Sequence, residues 1–244
     1  VVDMQACFVM CAWEVDQMDY QSYRSNIWLE FLKRYDIINS SSDLFKNDQM
    51  VCEVKEKNKN NSTPILARHP SMENRVIEQV SIIEKDYISN QNLYEGLIYM
   101  MFTLRQNQLI PLYIGKTETF GKSNKNLSAN IKNLKTNKNF FARWGDNYSY
   151  HIGDLSAVSL NGHNEENKTT KYTDWAKTIF TDFPTDTPKL KIPVKFWCKA
   201  WKSNDISIWE EFGHANLTFL EYQLIGVASS LFPDDLLNKE GKNR

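Results

Sequence analysis

The sequence predicts an α/β fold of the α+β type, in which a small, mostly antiparallel sheet is flanked by helices. Two apolar runs, 97–104 and 109–114, are separated by the polar stretch Arg105–Gln108, which is typical of a β-hairpin. Residues 192–201 alternate apolar and polar side chains, as a half-buried strand does. Segments with helical spacing of apolar residues precede and follow these runs, and they complete the prediction.

Helical periodicity, in which apolar residues recur three or four positions apart, marks several further segments. Ser71 is the expected N-cap of one of them, and Pro233 ends the last. The helices are expected at about 20–38, 71–88, 127–134, 170–180 and 217–231. Residues 148–160, with the sequence YSYHIGDLSAVSL, are instead expected to form a strand.

The character of the sequence changes near Asn90, where we expect a boundary between two units. Residues 1–90 carry a net charge of −4 and are expected to form an acidic, α-rich accessory domain. Residues 91–244 carry a net charge of +3 and contain the predicted hairpin. The first unit would recognise a partner protein, regulate the second unit, or form a homodimer.

The composition argues against a secreted or membrane protein. No apolar stretch approaches the ~20 residues that cross a bilayer, and the first residues do not resemble a signal peptide. The cysteines have no spacing that would complete a zinc site or a disulfide framework: Cys7, Cys11, Cys52 and Cys198. We expect reduced thiols in a cytoplasmic protein with no membrane partner.

Residues 105–143 contain eight basic residues and a single acidic residue, Glu118. Most blocks of this kind are simply solvated surface. The same charge density is also typical of a surface that contacts a phosphate backbone. Nucleic acid is therefore a candidate partner, and three lysines of this block are candidate substrate-binding residues: Lys122, Lys125 and Lys132.

Each strand of the predicted hairpin carries a tyrosine triplet, LIY at 97–99 and YIG at 113–115, and Lys116 follows the second triplet. With these motifs, residues 93–244 resemble the GIY-YIG endonuclease family. The resemblance implies a three-stranded, mostly antiparallel sheet flanked by helices, with a site that cleaves phosphodiester bonds. Adjacent strands can bring Tyr99 and Tyr113 to one face of that sheet.

The last predicted helix resembles the catalytic helix of the same family. It carries Glu221, followed at the family spacing by further matching residues: Leu224, Ile225, Pro233 and Asn238. The resemblance makes Glu221 a metal ligand. Asn238 is a candidate substrate-binding residue, which would alternatively brace the catalytic helix or cap the C-terminal turn.

The chain departs from the family in the helix that follows the hairpin. The family has an arginine at the position of Asn130, so Arg143 is the candidate that would stand in for it. Residues 140–188 would then be an insertion before the third strand. His151, inside this insertion, is either an auxiliary base, as in some restriction enzymes of the family, or a strand histidine with only a structural role.

The resemblance also implies the chemistry of the site. A single divalent ion, Mg²⁺ or Mn²⁺, would be held by Glu221, with water and phosphate oxygens completing its coordination, and it would stabilise the leaving oxygen. Tyr99 would be the general base or a base relay for the attacking water, and Tyr113 would orient the water or the phosphate. Lys116 or Arg143 would neutralise the non-bridging oxygens.

The sequence thus predicts a metal-dependent DNA endonuclease, and a bacterial restriction or antiphage-defence setting fits an accessory domain beside the nuclease. Two alternatives stay open. One is a catalytically inactive GIY-YIG-like module that binds nucleic acid, which the missing helix arginine favours. The other is an interaction subunit whose basic face binds an acidic protein.

Overall fold

The computed structural model describes residues 19–58, 61–121, 126–132, 134 and 151–243. The helices in these ranges are α1 (Tyr20–Arg34), α2 (Pro70–Ile88), α3 (Ala129–Lys132), α4 (His151–Ser159), α5 (Thr170–Ile179) and α6 (Leu217–Leu231). The strands are β1 (Ser42–Asp43), β2 (Asn47–Asp48), β3 (Val51–Cys52), β4 (Val54–Asn58), β5 (Asn61–Leu66), β6 (Tyr94–Arg105), β7 (Gln108–Glu118) and β8 (Lys195–Lys202).

The main sheet is antiparallel and has the strand order β1-β8-β6-β7. The predicted combination of helices with an antiparallel sheet is confirmed. The three predicted strands correspond to β6, β7 and β8, but the prediction of three strands is incomplete, because the two-residue strand β1 pairs with the other edge of β8. A strand of only two residues leaves no periodicity for sequence reasoning to detect.

β6 and β7 form the predicted hairpin, closed by a two-residue turn. Gln106 and Asn107 in this turn have φ angles of 50° and 65°, and a left-handed pair of this kind matches the twist of the flanking strands. The pairing register shifts at Leu112, next to Pro111. A β-bulge is one of the few places in a sheet that tolerates proline, which has no N–H to donate.

Side chains of β6 alternate between two helical layers. Leu97, Tyr99 and Met101 belong to a buried cluster with residues of α2, α4 and α5, whereas Ile98 and Met100 belong to a cluster with residues of α1 and α6. The two-residue period of a strand produces this division. Because β7 is the edge strand, side chains from both layers can reach its free side.

Elements that precede residue 90 pack on both faces of the sheet. α1 packs on α6, and α2 packs on β8 and β6. Residues 20–88 are therefore in contact with the unit predicted for 91–244. The boundary at residue 90, and the recognition, regulatory or dimerising role of residues 1–90, stay predictions.

Residues 148–160 are where the structure differs most from the sequence prediction. Residues 151–159 form the helix α4 instead of a strand, while 148–150 lie outside the described part of the chain. Every residue of α4 from Ile152 to Ser159 is buried, so the polar stripe that reveals a helical period is missing. Ser156, for example, is fully buried and accepts a hydrogen bond from the Leu66 N–H at 3.0 Å.

The other predicted helices are present with shifted ends. α1 stops at Arg34, and α3 is a single turn that ends at Lys132. α2 has His69 as its N-cap in place of the expected Ser71, and Pro70 follows at the first helical position, where its missing N–H costs nothing. Across the described ranges, no helix combines the length and the apolar character that crossing a bilayer demands.

Candidate active site

Tyr99 and Tyr113 lie on the same face of the sheet, on adjacent strands. Tyr99 is opposite Gly115 in the β6–β7 ladder, so Tyr113 is its diagonal neighbour. The two ring centroids are 6.2 Å apart, with an interplanar angle of 38°. Tyr99 is only 3% exposed, whereas Tyr113 is partly exposed and lines a surface cavity.

Gly115 is glycine because the Tyr99 hydroxyl occupies the space above it. A Cβ atom at Gly115 would lie 2.5 Å from the Tyr99 Oη, 2.6 Å from its Cζ and 3.0 Å from the Tyr113 Cε1. Carbon atoms do not approach that closely without displacing their neighbours. The glycine of the YIG triplet therefore lets the two phenols approach each other directly above the strand.

His151 lies behind the two tyrosines, at the start of α4. Its Nε2 is 3.2 Å from the Tyr99 hydroxyl, and its Nδ1 is 2.7 Å from the Tyr172 hydroxyl. Burial raises the pKa of Tyr172, on α5, and the charge of Asp154, one helical turn after His151, adds to this rise. Trp175 stacks on the imidazole with an interplanar angle of 19° and a centroid distance of 5.3 Å. The imidazole is thus held by contacts on both nitrogens and on one face.

The surroundings of these groups keep them neutral near neutral pH. Burial, together with the nearby Lys171 ammonium, lowers the pKa of His151 to about 3. Burial raises the pKa of Tyr113 to about 12; the negative charge of Glu221 adds to this rise, and the neighbouring Tyr99 hydroxyl opposes it. Burial also raises the pKa of Tyr99 well above its ordinary value. The resting site therefore contains two phenols and an uncharged imidazole.

The buried neutral imidazole is expected to make the protein sensitive to acid. Below pH ~6.5 the unfolded chain binds a proton at His151, whereas the folded chain does so only near pH 3. The contribution of neutral His151 to the free energy of unfolding is therefore fully present above pH ~6.5, and it is lost as the pH falls towards 3. At ~1.36 kcal/mol per pH unit, the loss between pH 6.5 and 4.5 is about 2–3 kcal/mol.

Urea denaturation of the wild type and His151→Gln at pH 7 and pH 4.5 measures this difference. The variant is expected to be less stable than the wild type at pH 7, but to lose about 2–3 kcal/mol less on acidification. His214→Gln is the matched control, since His214 is exposed, and it should lose as much as the wild type. Equal acid losses in the wild type and His151→Gln would show that His151 is not held neutral.

α6 brings Glu221 to the free side of β7. The helix begins at Asn216, its N-cap, and the Glu95 carboxylate of β6 accepts the Leu217 N–H at 2.6 Å, which ties the first turn to the sheet. The charge and the backbone N–H of Lys116 both favour the ionised form of the Glu221 carboxylate. These contacts place the carboxylate beside the YIG triplet, more than one hundred positions earlier in the chain.

A cavity of about 320 Å³ opens beside Tyr113 and Glu221. Its lining residues are Tyr113, Lys171, Glu221, Tyr222, Ile225, Asn238, Lys239 and Glu240. Two carboxylates, two ammonium groups and two phenols therefore face the same opening. Burial raises the pKa of Glu221, which the charge and backbone N–H of Lys116 oppose and the charges of Glu118 and Glu240 reinforce. A cation beside these acids would relieve that repulsion.

Lys171 is the main residue at this cavity that sequence reasoning missed. Its ammonium lies 5.1 Å from the ring centroid of Tyr113 and 5.3 Å from that of Tyr172, within reach of a cation–π contact. Burial lowers its pKa, while the charge of Asp154 opposes this. The available signal was weak: Lys171, Tyr172 and Trp175 share one side of a predicted helix, and Asp154 follows His151 by three positions.

The structure places the other predicted site residues less centrally. The Lys116 ammonium pairs with Glu118, and its charge also acts on Glu221, together with the Lys116 backbone N–H. Lys132 is exposed at the end of α3 and is not among the residues that line the cavity. The remaining three predicted residues lie outside the described part of the chain: Lys122, Lys125 and Arg143.

The Asn238 side chain is hydrogen-bonded to the strand that carries Tyr113. Its Oδ1 accepts the Ile114 N–H at 3.0 Å, and its Nδ2 donates to the Ile114 carbonyl at 2.8 Å. The side chain is 6% exposed. Both ends of the amide are engaged by the backbone, so the bracing role suits Asn238 better than the substrate-binding role.

The acidic residues at the cavity fit a hydrated Mg²⁺ ion. Within the described ranges, no three His, Cys, Asp or Glu side chains form a group that would enclose a metal. Mg²⁺ does not require one, because it is commonly held by one or two carboxylates, with water and substrate phosphates filling the other positions. Glu221 and Glu240 line the same cavity and provide such a donor set.

Comparison with known proteins adds no relatives. The chain matches no protein-family model, no curated protein and no solved structure. The resemblance to the GIY-YIG endonucleases consequently stays a prediction from the motifs. Function has to be argued from the side chains that meet at the cavity.

Proposed function

We propose that this chain is a metal-dependent endonuclease that hydrolyses DNA phosphodiester bonds at the cavity beside Tyr113. One observation carries the proposal: the Glu221 carboxylate, the Tyr113 phenol and the Lys171 ammonium line the same cavity. Phosphodiester hydrolysis requires a positioned water, neutralised phosphate charge and a stabilised leaving oxygen. The three groups match these requirements one by one.

Glu221, with Glu240 beside it, would hold the divalent ion. When bound, Mg²⁺ would polarise the phosphate and stabilise the leaving oxygen. The partial burial of Glu221 strengthens its attraction to a cation, because there is less water to screen the charge. Mn²⁺ has similar preferences for oxygen ligands and would serve as well.

Lys171 is assigned to the phosphate group. Its ammonium is at the cavity, above the Tyr113 ring, where it can neutralise a non-bridging oxygen. This role is the one that the family arginine would have at the position of Asn130. Lysine contributes a point charge without the two-pronged geometry of arginine, so Lys171 would stabilise charge with less control over orientation.

Tyr113 is assigned to the attacking water, and Tyr99 supports it. The resemblance gave the water-activating role to Tyr99. Tyr99, however, is only 3% exposed and does not line the cavity, whereas Tyr113 does. The Tyr99 ring lies beside the Tyr113 ring, with centroids 6.2 Å apart, so Tyr99 can hold Tyr113 in position from behind. We therefore exchange the two roles that the sequence analysis assigned.

A plasmid-nicking assay tests the proposal. The wild type is expected to convert supercoiled plasmid to the relaxed form in Mg²⁺ or Mn²⁺, and EDTA should stop the reaction. Tyr113→Phe removes the hydroxyl that contacts water and should nick at least about 100-fold more slowly, within the range for general acid–base groups. Tyr20→Phe, an exposed position on α1, is the matched control and should nick like the wild type.

Two outcomes would contradict the proposal. Equal nicking by the wild type and Tyr113→Phe would place the chemistry elsewhere. DNA binding that weakens steeply with salt, without nicking in either metal, would support the alternative of a catalytically inactive nucleic-acid-binding module.

A further inference from the structure

A groove of about 370 Å³ lies where α1 packs on α6, next to the proposed catalytic cavity. Arg24 of α1 lines it. On α6 it is lined by a stripe of residues spaced three or four positions apart, which includes Phe219, Tyr222, Gln223 and Gly226. Tyr222 also lines the catalytic cavity, so the two openings are neighbours. The proposed function assigns no role to the residues of this groove.

Aromatic rings are exposed along and beside this groove. Phe219 and Tyr222 are 42% and 55% exposed, and Phe212, beside Phe219, is 61% exposed. The Phe212 ring packs edge-on against Phe219 at a centroid distance of 5.8 Å, and it lies 5.7 Å from the ring of Trp209. Clustered exposed apolar side chains mark a binding surface. Exposed aromatic rings in particular are the surfaces on which unpaired bases of nucleic acids stack.

Gln223, in the wall of the groove, carries an amide without a partner. The residue is 5% exposed, and among the described residues neither its amide oxygen nor its amide nitrogen has a hydrogen-bond partner. A buried amide that is left unpaired destabilises the folded chain. A ligand that offers a donor and an acceptor side by side would recover this loss. The edge of a nucleobase offers both, and glutamine amides pair with base edges in this two-pronged way.

The space and the charge of the groove also suit a nucleotide. A Cβ atom added at Gly226 would meet no described atom within 4 Å, so the groove is open at that point. Arg24 brings a guanidinium to the groove, and guanidinium groups bind phosphate oxygens through paired hydrogen bonds. Two nearby acids, Glu210 and Glu211, are not among the described residues that line the groove, and each has a partner elsewhere.

We propose that this groove binds an unpaired nucleobase of the DNA strand that is cleaved at the neighbouring cavity. The base stacks on Phe219 and Tyr222, and its edge pairs with the Gln223 amide. Arg24 holds an adjoining phosphate. A base inside a duplex is stacked on both faces and paired at its edge, so only an unpaired or extruded base can enter. The inference rests on the proposed function, and it makes the substrate DNA with an unpaired base close to the scissile phosphate.

Binding of short DNA in EDTA, where metal-dependent cleavage is stopped, tests the groove separately from catalysis. Fluorescence anisotropy with the full chain compares three labelled duplexes: one fully paired, one with a single unpaired base, and one with an abasic residue in place of that base. The wild type is expected to bind the duplex with the unpaired base about tenfold more tightly than the other two, within the range that stacking of one base contributes. Equal affinity for the unpaired base and the abasic residue overturns the inference, because only the base itself differs between them.

Variants of the groove test the residues that form it. Phe219→Ala, which removes a ring, and Gly226→Leu, which fills the open space, should each lower the preference for the unpaired base to about twofold or less. Gln223→Leu should weaken the preference as well, while the free energy of unfolding stays equal or rises, because an unpaired buried amide is removed. Tyr20→Ala, at an exposed position on α1 outside the groove, is the matched control and should keep the preference. An unchanged preference in all three groove variants would also overturn the inference.

Nicking assays separate this inference from the proposed function. A wild type that prefers the unpaired base but never nicks DNA in Mg²⁺ or Mn²⁺ would contradict the proposed function alone. Nicking of the paired and the unpaired duplex at equal rates, with equal affinities, would overturn the inference alone. A wild type that is dimeric in sedimentation experiments, is dissociated by Phe219→Ala and shows no preference among the duplexes would assign the groove to a second copy of the chain, which also overturns the inference.

Discussion

Replacing Glu221 with Gln is expected to lower the metal-dependent nicking rate at least about 10³-fold while the protein stays folded. Glutamine keeps the shape of the side chain, but it offers no negative charge to a cation. A catalytic ion contributes several kcal/mol to transition-state stabilisation. Since ~1.36 kcal/mol corresponds to tenfold in rate, a loss of roughly 4 kcal/mol gives this factor.

The free energy of unfolding of Glu221→Gln is not expected to fall with its activity. This distinguishes a metal ligand from a residue with a structural role. Burial raises the pKa of Glu221, which means that the folded protein holds the charged form at a cost. The neutral amide avoids that cost, so the unfolding free energy of Glu221→Gln should equal or exceed that of the wild type near pH 7. A catalytic loss without a stability loss is expected only if the carboxylate serves a ligand or substrate.

Nicking rates and Mn²⁺ affinity, measured by calorimetry on both proteins, check these expectations. Glu166→Gln is the matched control, because Glu166 is exposed in the short helical turn before α5. The control should retain wild-type nicking and wild-type Mn²⁺ binding. If Glu221→Gln binds Mn²⁺ as tightly as the wild type, the metal ligand has been assigned to the wrong residue.

Elements with one buried and one exposed face were predictable from the sequence, whereas fully buried elements were not. The β6–β7 hairpin was recognisable because two apolar runs flank a polar turn at Gln106 and Asn107. α6 was recognisable from its apolar stripe. α4 was misread as a strand because residues from Ile152 to Ser159 are all buried, which leaves no contrast between faces. β1 was missed because two residues carry no period.

The candidate site divides in a similar way. Tyr99, Tyr113 and Glu221 were found because their motifs occupy short, recognisable stretches. Tyr172 contacts His151 from α5 to α4, and Lys171 contacts Tyr113 from α5 to β7. Contacts between separate elements leave no spacing in the sequence. The motif also could not predict which of the two phenols faces the cavity, because this depends on how deeply each strand position is buried.

Gly115→Ala is expected to destabilise the protein by about 1–3 kcal/mol, the usual cost of forcing extra volume into a packed site, and to reduce nicking strongly. The backbone at Gly115 is ordinary strand, so alanine meets no conformational barrier there. The effect comes from the new Cβ, which would lie 2.5 Å from the Tyr99 Oη. Tyr99 has to move, and its hydrogen bond to His151 moves with it.

A double-mutant cycle isolates this clash. Tyr99→Leu removes both the hydroxyl and the Cζ that the new methyl would meet. Gly115→Ala should therefore cost less stability in the Tyr99→Leu background than in the wild type, with a coupling energy of about 0.5–3 kcal/mol. Tyr99→Leu alone should be nearly inactive. In its background Gly115→Ala should therefore cost less stability, but nicking should not return.

Gly226→Ala on α6 is the matched control for the extra methyl group. A Cβ at Gly226 meets nothing within 4 Å, and alanine is favoured over glycine inside a helix by about 1 kcal/mol. The control should therefore be as stable as the wild type or slightly more so. If Gly115→Ala were equally harmless, Tyr99 would have room to retreat, and the close approach of the two phenols would not be what makes glycine necessary at that position. The site would then tolerate a looser pair of tyrosines than the present one, whose ring centroids are 6.2 Å apart.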